Sequence, residues 1–157
     1  MTNPSLRLLL LLLWPAALRC ESFVVKGAAV QAQEDGLKAA AEGRYADAVK
    51  LLRRALKDAP EHTVEMRQRA ATLRNALGGA LKALGRHDEA ALLFESALAA
   101  FRAEAAAAED ARAPRAEAAV VMSNLGAVRA ETGRQAEARA LYEGALSLFG
   151  DAEGGGS

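Results

Sequence analysis

Apolar residues recur along this chain at spacings of three, four and seven positions, and the same arrangement occurs three times. The copies read EGRYADAVKLLRRAL from Glu42, LGRHDEAALLFESAL from Leu84 and TGRQAEARALYEGAL from Thr132. Residues at these spacings lie on one face of a helix, so each copy predicts an amphipathic helix. The recurring positions are two glycines, an alanine, a large apolar residue, a second alanine and a leucine: Gly36, Gly43, Ala48, Leu52, Ala55 and Leu56; Gly78, Gly85, Ala90, Phe94, Ala97 and Leu98; Gly126, Gly133, Ala138, Tyr142, Ala145 and Leu146.

The two glycines of each copy have different predicted roles. Gly43, Gly85 and Gly133 separate two helices, because glycine tolerates the positive φ found after many helix ends. The upstream glycine is expected to face the first alanine, so that two antiparallel helices approach closely, while the large apolar residue fills the space between neighbouring pairs. Pro60 ends the second helix or starts the next. The pattern predicts an all-α chain of six antiparallel helices at residues 28–42, 45–58, 61–84, 87–108, 114–132 and 135–149.

This pattern resembles the tetratricopeptide repeat, a helix pair marked by small residues, an aromatic residue, an alanine and a closing proline at fixed positions. The resemblance covers residues 29–149 and implies a solenoid of three antiparallel helix pairs. The matching residues are Gly36, Ala48, Ala55 and Pro60 in the first copy, Leu77, Gly78, Phe94 and Ala97 in the second, and Leu125, Gly126, Tyr142 and Ala145 in the third.

The chain departs from the usual repeat in composition and in length. The hinge glycines are 42 and then 48 residues apart, whereas the usual repeat has about 34 residues. The additional residues are rich in alanine, arginine and glutamate and predict longer helices. Repeats lengthened in this way resemble those of kinesin light chains. Alanine, arginine and methionine replace the early tryptophan, and an aspartate stands where a leucine is expected: Ala32, Arg74, Met122 and Asp35.

Stacked helix pairs form an open, curved array, and the first helix of each pair lines its concave side. In tetratricopeptide repeat proteins this groove typically binds a peptide or helix, so the resemblance implies a non-catalytic adaptor or scaffold with a protein or peptide partner. An asparagine amide offers a donor and an acceptor to a partner's backbone, and a lysine attracts a carboxylate. The predicted partner-binding residues are Gln33, Thr72, Asn75, Lys82, Ser123 and Asn124, with Leu37, Gly79, Val120 and Ala127 as further groove positions.

Self-assembly is the alternative interpretation. Repeat arrays usually end in an additional polar helix, but the third copy is followed by GDAEGGGS. We expect residues 150–157 to form a flexible tail, and the uncovered apolar edge of the last repeat to be a contact surface, as in a homodimer. The predicted edge residues are Leu141, Tyr142, Leu148 and Phe149.

The charge balance and the few cysteine and histidine residues argue against several classes of function. Lys plus Arg and Asp plus Glu are 20 each, whereas a nucleic-acid-binding chain is expected to carry a basic excess. Cys20 is the single cysteine, so neither an intramolecular disulfide nor a cysteine-based zinc site is expected. His62 and His87 stand apart from other metal-ligating residues, and Ser123 has no histidine nearby in sequence. We therefore expect no enzymatic activity, no cofactor and no metal.

Residues 1–22 predict a secretory signal. Arg7 precedes an apolar run over residues 8–18, and no acidic residue occurs before Glu21, as in a signal peptide. The run is shorter than the roughly 20 apolar residues that a membrane span needs. The expected location is the secretory pathway or the exterior, with the repeat domain at residues 23–149. An uncleaved membrane anchor and the first half of a two-step plastid signal are the alternatives.

Overall fold

The structure is a computed structural model that describes residues 27–57, 59 and 61–154, with side chains up to residue 150. The predicted signal segment 1–22 with Cys20, the predicted helix end at Pro60 and residues 155–157 lie outside the described residues. Within the described ranges the chain is built from helices, and no strand is present. The helices are α1 (residues 27–41), α2 (Tyr45–Lys57), α3 (Val64–Ala83), α4 (His87–Ala107), α5 (Arg112–Glu131) and α6 (Gln135–Gly154).

The predicted all-α solenoid of six helices is confirmed, and the helix ends differ in detail. The largest difference is in α6, which continues to Gly154, past the predicted end at residue 149. Alanine and glutamate within this extension favour helix, so the helix includes the first part of the segment that was predicted to be a tail. Helix α5 begins at Arg112, ahead of Pro114. Proline fits there because the N–H groups of a first turn have no intrahelical partner.

The three predicted hinge glycines adopt the conformation that only glycine adopts without strain. The φ angles of Gly43, Gly85 and Gly133 are 76°, 75° and 78°. Each glycine N–H donates to the carbonyl three residues earlier, and the next N–H donates to the carbonyl five residues earlier, at 2.8–3.1 Å. These two bonds form a Schellman motif, which satisfies carbonyls at the helix end and reverses the chain.

Each upstream glycine lies against the large apolar residue of its own helix pair. A Cβ added to the glycine would stand 2.8–2.9 Å from that side chain, closer than van der Waals contact allows. The side chain nearest to each glycine is thus the large apolar residue, whereas the first alanine was predicted to face it. The hinge places residues sixteen positions apart opposite each other, and the large side chain fills the space that a Cβ would take. The contacts are Gly36–Leu52, Gly78–Phe94 and Gly126–Tyr142.

The core continues from pair to pair. Each of the helices α2 to α5 packs against the next along the chain, and α3 also contacts α5. The first helices of these two pairs therefore lie on the same side of the array. Alanines make up much of the core and let helices pack closely, with a few large side chains between them. The largest fully buried side chains are Phe94, Phe101, Leu52, Leu81, Val121 and Val128.

Alanine substitutions at two neighbouring glycines of α3 should have opposite effects on stability. A Cβ on Gly78 would lie 2.8 Å from Phe94, whose ring is fully buried. We expect Gly78→Ala to lower the free energy of unfolding by about 1–2 kcal/mol through overpacking. A Cβ on Gly79 meets no atom within 4 Å, so Gly79→Ala should raise it by up to about 1 kcal/mol through helix propensity. Urea unfolding followed by circular dichroism measures both changes, and a shift of the same sign would contradict the packing described.

Candidate binding groove

The helices α1, α3 and α5 form one side of the array, and side-chain bonds connect them across successive pairs. Arg69 Nε of α3 donates to Gln33 Oε1 of α1 at 2.5 Å. Asn124 Nδ2 of α5 donates to Asn75 Oδ1 of α3 at 2.9 Å. Because these bonds link neighbouring pairs, their residues share one surface. We call this surface the groove face, and its residues are Gln33, Leu37, Arg69, Thr72, Asn75, Lys82, Val120, Ser123 and Asn124.

The structure brings the two predicted groove asparagines together. Asn75 and Asn124 are both half-buried, and their mutual bond uses one group of each amide. The Asn75 Nδ2 group and the Asn124 Oδ1 atom retain hydrogen-bonding capacity, because an amide side chain offers two donors and an oxygen with two lone pairs. A donor and an acceptor therefore lie side by side on the groove face, an arrangement that matches the carbonyl and N–H of an extended peptide.

Two exposed apolar side chains accompany the polar residues of the groove face. Leu37 is 39% exposed and Val120 is 41% exposed. Val120 lies one helical turn before Asn124, and Leu37 lies one turn after Gln33, so each apolar side chain is adjacent to a polar one. These two residues were predicted as groove positions, and their exposure identifies them as the apolar contacts that the face can offer.

Lys82 already has a carboxylate close to it. Its Nζ lies 3.6 Å from Glu131 Oε1 on α5, which is a further link between α3 and α5. The other oxygen of Glu131 lies 3.4 Å from His87 Nδ1, a distance longer than that of a good hydrogen bond. The predicted attraction of a partner's carboxylate by Lys82 would therefore compete with Glu131.

The two predicted hydroxyl residues of the groove face bond to their own helices. The Thr72 hydroxyl donates to the carbonyl one turn earlier at 3.0 Å, and the Ser123 hydroxyl does the same at 3.1 Å. This bond is common for serine and threonine within helices. Each hydroxyl oxygen can still accept a bond, so a partner's N–H groups are the complementary chemistry at these positions.

The outer face of α6 is exposed where the same face of α4 is covered. Leu146 of α6 is 71% exposed, but Leu98, at the equivalent position of the preceding pair, is 6% exposed because α5 packs there. Tyr142 is 39% exposed, whereas the equivalent Phe94 is fully buried. The described residues thus leave uncovered, on α6, the apolar positions that join one repeat to the next.

The residues predicted for this edge divide into two groups. Tyr142 and Phe149 are 39% and 38% exposed, whereas Leu141 and Leu148 are half-buried and pack against the core. The apolar side chain of the edge with the highest exposed fraction is Leu146, which the sequence interpretation did not include among the edge residues. The exposure of Leu146 could have been expected from its position in the repeat, because the equivalent Leu98 is covered by the helix pair that follows it.

Membrane-spanning and metal-binding features are absent from the described part of the chain. None of its helices combines the length and the apolar character needed to cross a bilayer. No group of three or more histidine, cysteine, aspartate or glutamate side chains that could hold a metal ion occurs among the same residues.

The geometry defines a solenoid of helix hairpins with a polar and apolar groove face. Residues 70–105 and 118–150 match the tetratricopeptide repeat family, and these segments cover most of the pairs α3–α4 and α5–α6. The match supports a tetratricopeptide repeat protein, and repeats of this family generally mediate protein–protein interaction. A comparison with curated proteins found no match to the chain.

A double-mutant cycle should show that the two asparagines stabilise one another. Asn75→Ala leaves half-buried Asn124 without its bond, and we expect it to lower the free energy of unfolding by about 1 kcal/mol. Asn124→Ala should have a similar effect, and the double variant should lose less than the sum, by about 0.5–1 kcal/mol. Urea unfolding gives the coupling energy, with Thr72→Ala as an uncoupled control on the same face. Strictly additive losses would show that the bond contributes nothing.

Proposed function

We propose that the chain is a non-catalytic adaptor or scaffold that binds a peptide or a helix of a partner protein on the groove face. The family match supports an interaction module in general. The observation that carries the proposal is the Asn75–Asn124 pair, whose remaining hydrogen-bonding groups share the groove face with the exposed side chains of Leu37 and Val120.

The arrangement suggests how an extended segment would bind. One backbone carbonyl of the partner accepts a bond from Asn75 Nδ2, and a nearby N–H donates to Asn124 Oδ1. The two amides fix the partner's position along the groove, because both are half-buried and already held by their mutual bond. An apolar side chain of the partner then contacts Val120. Binding rests on shape, hydrogen bonds and apolar contact, without a chemical reaction.

The proposal includes the finer resemblance to the repeats of kinesin light chains. It is supported by the intervals of 42 and 48 residues between hinge glycines and by the length of helices α3 to α6, each of 20 or 21 residues. Longer helices widen the groove face, so more of a bound segment is contacted by each repeat.

The proposal also includes entry into the secretory pathway through residues 1–22. Arg7 and the apolar run that follows it support this location. Cleavage would remove the segment, whereas a membrane anchor would retain it and a plastid route would require further processing. The N-terminal residue of the chain recovered from its cells distinguishes these cases.

The binding surface can be tested with peptides selected from a random library on the full chain. We expect Val120→Arg to weaken the selected peptides at least about tenfold, because it places a large cation beside Asn124 on the groove face. Leu92→Arg is the matched control, since Leu92 is 66% exposed on the second helix of its pair. Its affinity should stay within about twofold of the original. Equal losses in both variants, or no loss in either, would reject the groove face as the binding surface.

A second candidate function is self-assembly through the outer face of α6. The supporting observation is the exposure of Leu146, which is 71%, compared with 6% for the equivalent Leu98. Two copies that place these faces together would cover Tyr142, Leu146 and Phe149 at once. Such an interface is isologous, with the same residues contributed by each copy.

Light scattering coupled to size exclusion tests this candidate on the full chain over a range of concentrations. If the α6 face joins two copies, the wild-type mass should approach twice the monomer mass as concentration rises. Leu146→Gln should then shift the midpoint to at least about tenfold higher concentration. Leu92→Gln makes the same chemical change at a side chain of similar exposure and should leave the midpoint unchanged. A monomer at every concentration would contradict self-assembly.

A further inference from the structure

A cavity of about 310 Å³ lies where the second helices of the last two pairs meet α5. Its lining comes from three helices and includes Arg102 of α4, Arg115 and Met122 of α5, and Ser147 of α6. Among the described residues, no Cα atom of α4 comes within 8 Å of a Cα atom of α6. The cavity therefore belongs to a gap between two helices whose backbones stay apart, and it includes no residue of the groove face.

The base of the cavity is apolar and closely packed. Met122 is 5% exposed, and a Cβ added to Gly144 of α6 would stand 2.5 Å from its Cε. The absence of a side chain at residue 144 thus makes room for the end of the Met122 side chain. Ala118, which also lines the cavity, is 1% exposed. Because these residues offer at most a weak sulfur acceptor, recognition of a ligand depends on the polar residues around them.

The contact between Arg102 and Met122 places a guanidinium at this cavity. Nη2 of Arg102 lies 3.6 Å from Sδ of Met122, and both residues are part of the lining. A thioether sulfur is a weak and uncharged acceptor. The contact therefore positions the guanidinium without neutralising its charge.

Neither arginine of the cavity has an acidic residue at the helical positions where it could pair with one. The positions three and four residues away hold alanine or leucine around Arg102, and alanine or arginine around Arg115. By contrast, Arg86, Arg134 and Arg139 each pair with a glutamate at such a position. Neither Arg102 nor Arg115 forms an ion pair with another described residue. Two arginines thus line one cavity without a carboxylate partner in the described part of the chain.

This combination fits a phosphate group better than a carboxylate. Arginine presents planar pairs of N–H groups that match two phosphate oxygens, and a serine hydroxyl supplies a further donor. A phosphate monoester carries nearly two negative charges at neutral pH, which two guanidinium groups balance. Arg115 is exposed, and its long, flexible side chain can bring its guanidinium to a ligand held by Arg102.

We propose that this cavity binds a phosphate group, with Arg102 and Arg115 as its counter-ions and the Ser147 hydroxyl as an additional donor. The apolar base keeps water from one side of the ions and so strengthens their attraction. A bound phosphate connects α4 with α5 and α6 and stabilises the last two pairs. Inorganic phosphate and a phosphorylated side chain of a partner share this chemistry, and the site does not depend on the proposed function of the groove face.

The first test is an NMR titration of the ¹⁵N-labelled full chain with sodium phosphate at constant ionic strength, with sodium acetate as the singly charged anion. We expect saturable shifts of the backbone amides around residues 102, 115 and 147. Acetate should bind at least about tenfold more weakly. Absence of saturable phosphate binding, or equal binding of acetate, would overturn the proposal.

Variants of the lining assign the site. Arg102→Gln and Arg115→Gln should each weaken phosphate at least about tenfold. Arg54→Gln is the matched control, because it removes the same charge from an exposed arginine of α2, and its affinity should stay within about twofold of the original. Ser147→Asp should abolish binding, because it adds a competing carboxylate to the cavity. An equal loss in Arg54→Gln, or full binding by any of the three cavity variants, would reject the assignment.

Thermal unfolding separates ligand binding from a purely structural role. Without phosphate, Arg102→Gln should change the Tm by less than about 2 °C, since no ion pair with a described residue is lost. Phosphate should raise the Tm of the wild type more than that of this variant. A large decrease in the Tm of the variant without phosphate would mean that Arg102 already has an internal partner, and would contradict the proposed role.

A short acetylated and amidated peptide, Ala-phosphoserine-Ala, identifies the source of the phosphate. Binding of the peptide that is lost in Arg102→Gln supports a phosphorylated segment of a partner protein. Binding of inorganic phosphate alone supports a free phosphate ion. If neither ligand shows binding that depends on Arg102, the cavity is not a phosphate site.

Discussion

The contact between a glycine of each first helix and a large apolar side chain of its second helix sets the geometry of the array. In the pair α3–α4 the ring of Phe94 occupies the space where a Cβ of Gly78 would stand. This contact brings the two helix axes close together and fixes their rotation, because the ring leaves no room for a Cβ at residue 78. The orientation of every residue on the groove face follows from it, including the asparagines that meet across pairs.

Most of the fold could be predicted from the sequence because its signals are local and repeated. From helix periodicity and the hinge glycines, the ends of five of the six helices were predicted to within three residues of their positions in the structure. The side chain nearest to Gly78 is Phe94, whereas the prediction named Ala90, since the nearest contact depends on how many residues the Schellman turn takes up. The constant interval of sixteen residues between the glycine and the large apolar residue was the signal for this contact.

The groove could be predicted only as a set of positions. Asn75 and Asn124 were both placed on it, but their bond spans 49 residues and depends on the lengths of α4 and the connection after it. Leu146 occupies the same repeat position as Leu98, and only the structure shows that nothing among the described residues covers it. Glu104 belongs to the additional residues that predicted only longer helices, and a single carboxylate in an alanine-rich segment gives no sign that it is buried.

The uncovered face of α6 also affects how firmly different parts of the chain are held. In an array where each pair contacts only its neighbours, local stability depends on the number of interfaces that a pair shares. The pair α3–α4 packs against helices on both sides, whereas α6 contacts only α5 among the described helices. Opening of α6 therefore disrupts one helix interface, and the backbone amides of this helix should exchange with solvent more readily than those of α3 and α4. The apolar face that suits α6 for contact with another molecule thus also makes this helix easier to open than α3 or α4.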